Sequence, residues 1–90
     1  MKVEHIGIAV RDLEQSNTLF TALFGQPPYK EETVESEHVR TSFFQQGETK
    51  IELLQATAES SAIHKFIEKR GEGMHHIAFE VPDIHAAMER

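Results

Sequence analysis

One stretch of this chain occurs twice. Residues 5–13, HIGIAVRDL, align with residues 76–84, HIAFEVPDI, at a constant offset of 71. The His, the first Ile, the Val and the Asp are identical, and Gly7/Ala78, Ile8/Phe79 and Leu13/Ile84 exchange like for like. Repeats constrain a fold before any local motif does. Short strands that lead into capped helices share a grammar, and chance alone matches part of it; duplication is the stronger reading. The repeat makes His76, not His75, the counterpart of His5.

The first copy opens on KVEHIGIAV (2–10), which alternates with strand period: Ile6, Ile8 and Val10 on one face, Val3, His5, Gly7 and Ala9 on the other. Asp12 reads as a helix N-cap with Gln15 three residues on. Leu13, Phe20, Leu23 and Phe24 are expected on one helical face, and Gly25 followed by Pro27 and Pro28 stops the helix. Residues 29–36 read as an exposed extended strand. VRTSFFQ (39–45) and TKIELLQ (49–55) read as strands joined by a tight turn at QGE (46–48). Ser60 or Ser61 caps a short helix that turns Ile63, Phe66 and Ile67 inward and ends at Arg70-Gly71. MHHIAFEV (74–81) is the next strand, and Pro82-Asp83 opens another helix. The predicted order is βαβββ, a short helix, then βα, an α+β fold.

Ninety residues make one small domain with a thin core. Apolar content of 39% and charge of 27% suit a soluble globular chain. A net charge of −6 with scattered Lys and Arg argues against nucleic acid as a partner. No apolar run nears the roughly 20 residues that span a bilayer. The strand pattern starts at Lys2, so no signal or transit peptide is expected. Cysteine is absent, which removes disulfides, thiolate metal sites and cysteine nucleophiles. A reducing cytoplasm is the expected location.

On alternation, His76 shares a face with Ala78 and Glu80, as His5 does with Gly7 and Ala9. The small residue two places after each histidine leaves room beside the ring. His75 is expected on the opposite face or at the strand end. In TKIELL, Lys50, Glu52 and Leu54 share one face. A carboxylate there is either solvated or paired. If the faces bearing His5, His76 and Glu52 converge, two imidazoles and a carboxylate form a donor set for Zn, Mn, Co, Ni or Fe. Against this, a single strand histidine is usually just packed or half-exposed, and a single strand glutamate usually faces water. The matched placement of two histidines is what favours the metal. His38, His64 and His85 lack that symmetry and read as surface. Lys69 and Arg70 complement a helix dipole and read as nothing more.

HIGIAVRDLEQS, GETKIELLQ, FIEKRGEGMHHIAFEV and DIHAAMER span nearly all of the chain. In that order and spacing they resemble the vicinal oxygen chelate (glyoxalase-like) superfamily, most closely its methylmalonyl-CoA epimerase branch. The resemblance implies paired βαβββ modules that curl into a cup around a divalent metal. It divides this chain into a first module at 1–55, a linker with a short helix at 56–72 and the start (βα) of a second module at 73–90. Carried over by motif, the metal ligands are His5, Glu52 and His76. A fourth family ligand, a glutamate that is also a candidate base, is expected about 33 residues beyond Arg90 by the repeat offset. The chain is therefore expected to be a truncated piece with an open sheet edge and a half-built site.

The implied activity is interconversion of (R)- and (S)-methylmalonyl-CoA by metal-assisted proton abstraction at C2 through an enediolate. Neither base can be named from the sequence, and Lys50 is a candidate for a substrate carboxylate beside its plainer reading as a solvated lysine. The implied partners are an acyl-CoA substrate and a second copy in a homodimer, with no nucleic acid or membrane. The alternatives are another reaction on the same cup, of lactoylglutathione lyase or ring-cleaving type, and a non-catalytic small-molecule-binding member.

Overall fold

The computed structural model describes residues 2–81. Strand β1 (Lys2–Ala9) leads into helix α1 (Leu13–Phe24), then β2 (Lys30–Val34), a 3-10 turn at Glu35–Glu37, β3 (Val39–Gln46), β4 (Thr49–Ala56), helix α2 (Ala62–Arg70) and β5 (Gly73–Glu80). The order follows the sequence reading as far as Val81; the helix expected from Pro82, with His85, lies outside the described residues.

Local chemistry sets the boundaries. Asp12 caps α1, its Oδ1 accepting from the Gln15 amide at 3.1 Å, and the Gln55 side chain accepts from the Leu13 amide at 2.6 Å. Gly25 closes α1 in the left-handed region, φ 77°. Gly47, φ 60°, occupies the first position of the two-residue β3–β4 turn, where a positive φ is required. Ser61 caps α2, its Oγ accepting from the Ile63 amide at 3.2 Å.

The strands form one sheet in the order β2-β3-β4-β1-β5. β1 runs parallel to β4 and antiparallel to β5; the remaining pairs are antiparallel. Alternation gives the sheet two different faces. On one, Val10, Leu13, Phe44 and Leu53 pack with Ile8, Phe20, Phe24 and Ile51 beneath α1. On the other, Ala9, Val39, Leu54 and Ile63 pack with Phe66 and Ile67 beneath α2. Leu23 departs from expectation and is 69% exposed. Leu13, Phe20 and Phe24 lie within about 20° of a common helical direction, whereas Leu23 is about 80° away at 3.6 residues per turn.

The α2 core occupies only one end of its face. Towards the other end that face carries Lys50 and Glu52 on β4, His5 and Gly7 on β1, and His76 and Ala78 on β5. Beyond β5 no strand is paired among the described residues. Met74, Ile77 and Phe79 stand exposed on the opposite face of this edge strand.

Candidate metal centre

His5 and His76 meet because the β1–β5 pairing is nearly two-fold symmetric. Ile6 faces Ile77, His5 faces Ala78, and Gly7 faces His76. Each histidine therefore lies across from the small residue of the other copy. The histidine Nε2 atoms approach to 3.1 Å, with the rings edge-on and their centroids 5.0 Å apart. The room beside the rings, expected from Gly7, is filled by the other imidazole: a Cβ on Gly7 would come within 2.6 Å of His76 Nδ1.

Glu52 reaches the same point from β4, where it pairs with Gly7 across the parallel ladder. One carboxylate oxygen lies 3.6 Å from His5 Nδ1, and its side chain is only 16% exposed. One donor atom from each of His5, Glu52 and His76 falls within 4.8 Å of the others. Two nitrogens about 2.0–2.1 Å from a common ion are separated by roughly the distance seen here between the Nε2 atoms. The donors are two borderline imidazoles and one hard carboxylate, without thiolate, a set that suits Zn, Mn, Co or Ni. The three residues singled out in the sequence thus lie together and fit a divalent cation.

At His76 the electrostatics favour neutral imidazole, the form that can donate to a metal. Burial, and then the neighbouring His5 and His75, push the His76 pKa below its ordinary value, with Glu52 opposing. Glu4 is held below the usual carboxylate range by its hydrogen bond to His5 and its contact with Lys50. Lys50 is raised in turn by Glu4. Lys50 Nζ lies 3.0 Å from Glu4 Oε2.

A cavity of about 580 Å³ opens beside the donors. Glu52, His75 and His76 line it together with Phe43, Leu54 and the first turn of α2. Lys50, the candidate for a substrate carboxylate, does not line it. Two residues read as surface or opposite-facing do. His75 reaches the cavity because a bulge interrupts the strand alternation that placed it on the other face. His38 closes the 3-10 turn in the left-handed region, φ 53°, and its carbonyl accepts from the Thr57 amide at 2.9 Å. That anchor sets the turn against the end of β4, so that Glu37 and His38 join the lining. Sequence reasoning also missed Glu4, although Glu4 and His75 sit at the same repeat offset. His64 stays on the surface, 3.4 Å from Glu68.

A βαβββ sheet that gathers two histidines and a glutamate beside an open cavity defines a glyoxalase-like protein. Residues 4–90 match the Glyoxalase/Bleomycin resistance protein/Dioxygenase superfamily, and the chain belongs to it. It is 40% identical over 78 residues to the uncharacterized Bacillus subtilis protein YqjC, covering 87% of this chain and 56% of that protein. It is 39% identical over 90 residues to the mitochondrial methylmalonyl-CoA epimerase of Dictyostelium discoideum, covering 98% of this chain and 54% of the relative. A variant of the Streptomyces coelicolor methylmalonyl-CoA epimerase, solved in complex with 2-nitronate-propionyl-CoA, superposes with a TM-score of 0.81 at 33% identity, covering 99% of this chain and 66% of that one. The chain thus spans about half the length of these curated relatives. No helix among the described residues is long and apolar enough to cross a membrane.

Proposed function

We propose that the protein is a metal-dependent epimerase of a CoA thioester, interconverting (R)- and (S)-methylmalonyl-CoA. The observation that carries this reading is the convergence of His5, Glu52 and His76 donors within 4.8 Å, with Glu52 and His76 in the wall of a cavity of about 580 Å³. The epimerase relatives, one of them holding an acyl-CoA ligand, supply the substrate class.

His5, Glu52 and His76 hold a divalent cation such as Co, Mn, Zn or Ni. When bound, it supplies Lewis-acid stabilisation for the charge that develops on oxygen as a proton beside a carbonyl is removed. The chain's own residues do the rest. Phe43, Leu54 and Ile63 give the cavity an apolar wall against which the methyl-bearing carbon can rest. The proton requires a base on the cavity side. Of the further carboxylates in the lining, Glu32 is occupied by Lys30 at 3.1 Å. Glu37 makes no ion pair among the described residues, and its carboxylate takes the proton on one face of the substrate. Residues 1–55 act as the first module, 56–72 as the linker and 73–90 as the start of the second. The edge of β5, unpaired among the described residues, suits pairing in a homodimer. The cysteine-free composition suits the cytoplasm.

The test is deuterium exchange at C2 of methylmalonyl-CoA in heavy water, with and without added Co2+ or Zn2+. Metal-dependent exchange supports the reading. Turnover of a glutathione hemithioacetal without C2 exchange would place the protein with the lactoylglutathione lyases. Binding of acyl-CoA with neither metal nor exchange would make it a sequestering member.

A further inference from the structure

Strands β1 and β5 carry a matched pair of bulges. The ladder steps from Val3–Phe79 to His5–Ala78, which leaves Glu4 as an extra residue on β1. It steps from Gly7–His76 to Ile8–Met74, which leaves His75 as an extra residue on β5. Glu4 and His75 are separated by the repeat offset and each precedes a donor histidine. In a regular strand such a residue points to the other face. A bulge re-aims it. Glu4 Oε1 accordingly lies 2.6 Å from His5 Nδ1, with Lys50 on the other carboxylate oxygen. His75 Nδ1 lies 2.9 Å from His76 Nδ1, and its ring stands edge-on to Phe66 at 5.0 Å. In both halves Nδ1 is occupied and the two Nε2 atoms face each other.

We propose that Glu4 and His75 are positioning residues, each accepting, when metal is bound, the Nδ1–H of the histidine that follows it and so directing that histidine's Nε2 to the ion. The inference rests on the reading of His5, Glu52 and His76 as ligands. Neutral imidazole has one N–H, and the hydrogen bond at one nitrogen decides which tautomer is present. A carboxylate can only accept, so Glu4 leaves His5 Nδ1 the donor role. Outer partners of this kind fix ring orientation and raise ligand basicity. His75 accepts only when its own proton is on Nε2, and its bond to His76 is neutral. It is therefore weaker than the charge-assisted bond made by Glu4. Lys50 holds Glu4 in place. The repeat thus fills one structural slot with two chemistries, and His5 is held harder than His76.

Two measurements at pH 8 test this. Ring 15N–1H correlation spectra of the metal-free and the Zn2+-loaded protein report the tautomers, and titration with Co2+ or Zn2+ reports affinity. In the wild type His5 is expected to carry its proton on Nδ1 throughout, whereas His76 supplies the one hydrogen of the 3.1 Å Nε2–Nε2 contact in the metal-free protein and carries its proton on Nδ1 once Zn2+ is bound. Glu4→Ala is expected to move the His5 proton to Nε2 and to weaken metal binding about tenfold to a hundredfold. Glu4→Gln, whose amide oxygen still accepts from Nδ1–H, restores the tautomer and most of the affinity. His75→Phe keeps a ring against Phe66 but removes the acceptor; it is expected to weaken metal binding, by less than Glu4→Ala does. A His5 that keeps its proton on Nδ1 in Glu4→Ala, or full affinity in a folded Glu4→Ala protein, overturns the positioning roles alone. Failure of the wild type to bind either ion overturns the ligand reading, and with it the purpose given to Glu4 and His75.

Discussion

Gly7 lies directly across the β1–β5 ladder from His76, and the His76 ring occupies the space that a Cβ on Gly7 would need. The requirement comes from close approach, since Gly7 is not among the residues with positive φ. Gly7→Ala adds one methyl group and displaces the imidazole from its place beside His5. Metal affinity is expected to fall about tenfold or more, the range seen when a ligand loses its support. Isothermal titration with Co2+ reads the loss, and the far-UV spectrum shows whether the sheet has survived. An unchanged affinity would mean that the ring moves aside without cost.

The three donors are not equivalent, and their variants separate charge from geometry. His5→Ala and His76→Ala each remove a nitrogen donor and are expected to leave no stoichiometric metal after dialysis. Glu52→Gln keeps an oxygen at the same place but removes the negative charge, so it should hold metal more weakly than the wild type. Glu52→Ala should hold none. Metal content by plasma mass spectrometry and C2 exchange, measured on the same samples, should rank the variants in the same order.

Much of this arrangement is legible in the residues, and the part that is not has a definite cause. Strand period alone sets His5, Gly7 and Ala9 on one face and Ile6 and Ile8 on the other. The repeat then carries His76 to the matching place. Asp12, Gly25 and Gly47 mark their boundaries through chemistry that needs no tertiary context. His75 and Glu4 were not legible, because alternation assigns neighbours to opposite faces and a bulge breaks it through pairing with another strand. His38 and Glu37 join the cavity through the hydrogen bond between His38 and Thr57, 19 residues apart in the chain. Leu23 looked like a core residue because apolar character alone does not give its angle around the helix.

The depressed pKa of His76 makes the stability of the metal-free protein depend on pH. Unfolded, this histidine titrates near the ordinary value of about 6.5. Folded, it titrates lower, because burial, His5 and His75 disfavour its charged form against the pull of Glu52. Between the two values the unfolded chain binds more protons, so stability rises with pH. The contribution is present above about pH 6.5 and is lost as pH falls through the folded value. After chelator treatment, Tm should therefore fall from pH 7.5 to pH 5.5, and His76→Gln should flatten the slope. Saturating metal should add stability by mass action, about 2.7 kcal/mol at a hundred times Kd, and raise Tm accordingly. That gain should shrink on acidification as protons compete for the imidazoles.

Glu37 provides the sharpest test of the proton-transfer step, because it lines the cavity without belonging to the donor set. It sits in the 3-10 turn whose end is fixed by His38, so its backbone position does not depend on the metal. Glu37→Gln keeps the shape and removes the basic oxygen. Proton transfer by a positioned side chain contributes typically 10²–10⁴-fold. C2 exchange from one enantiomer is therefore expected to slow by about that factor, with metal content and Tm unchanged. Stereochemistry adds a second readout. A base on one side of the substrate serves one enantiomer's proton, so exchange without inversion should be lost for one hand of the substrate and spared for the other. Equal slowing of both hands would assign Glu37 to binding, and no slowing would pass the role to another cavity carboxylate, with Glu32 the next candidate once its pairing with Lys30 is broken.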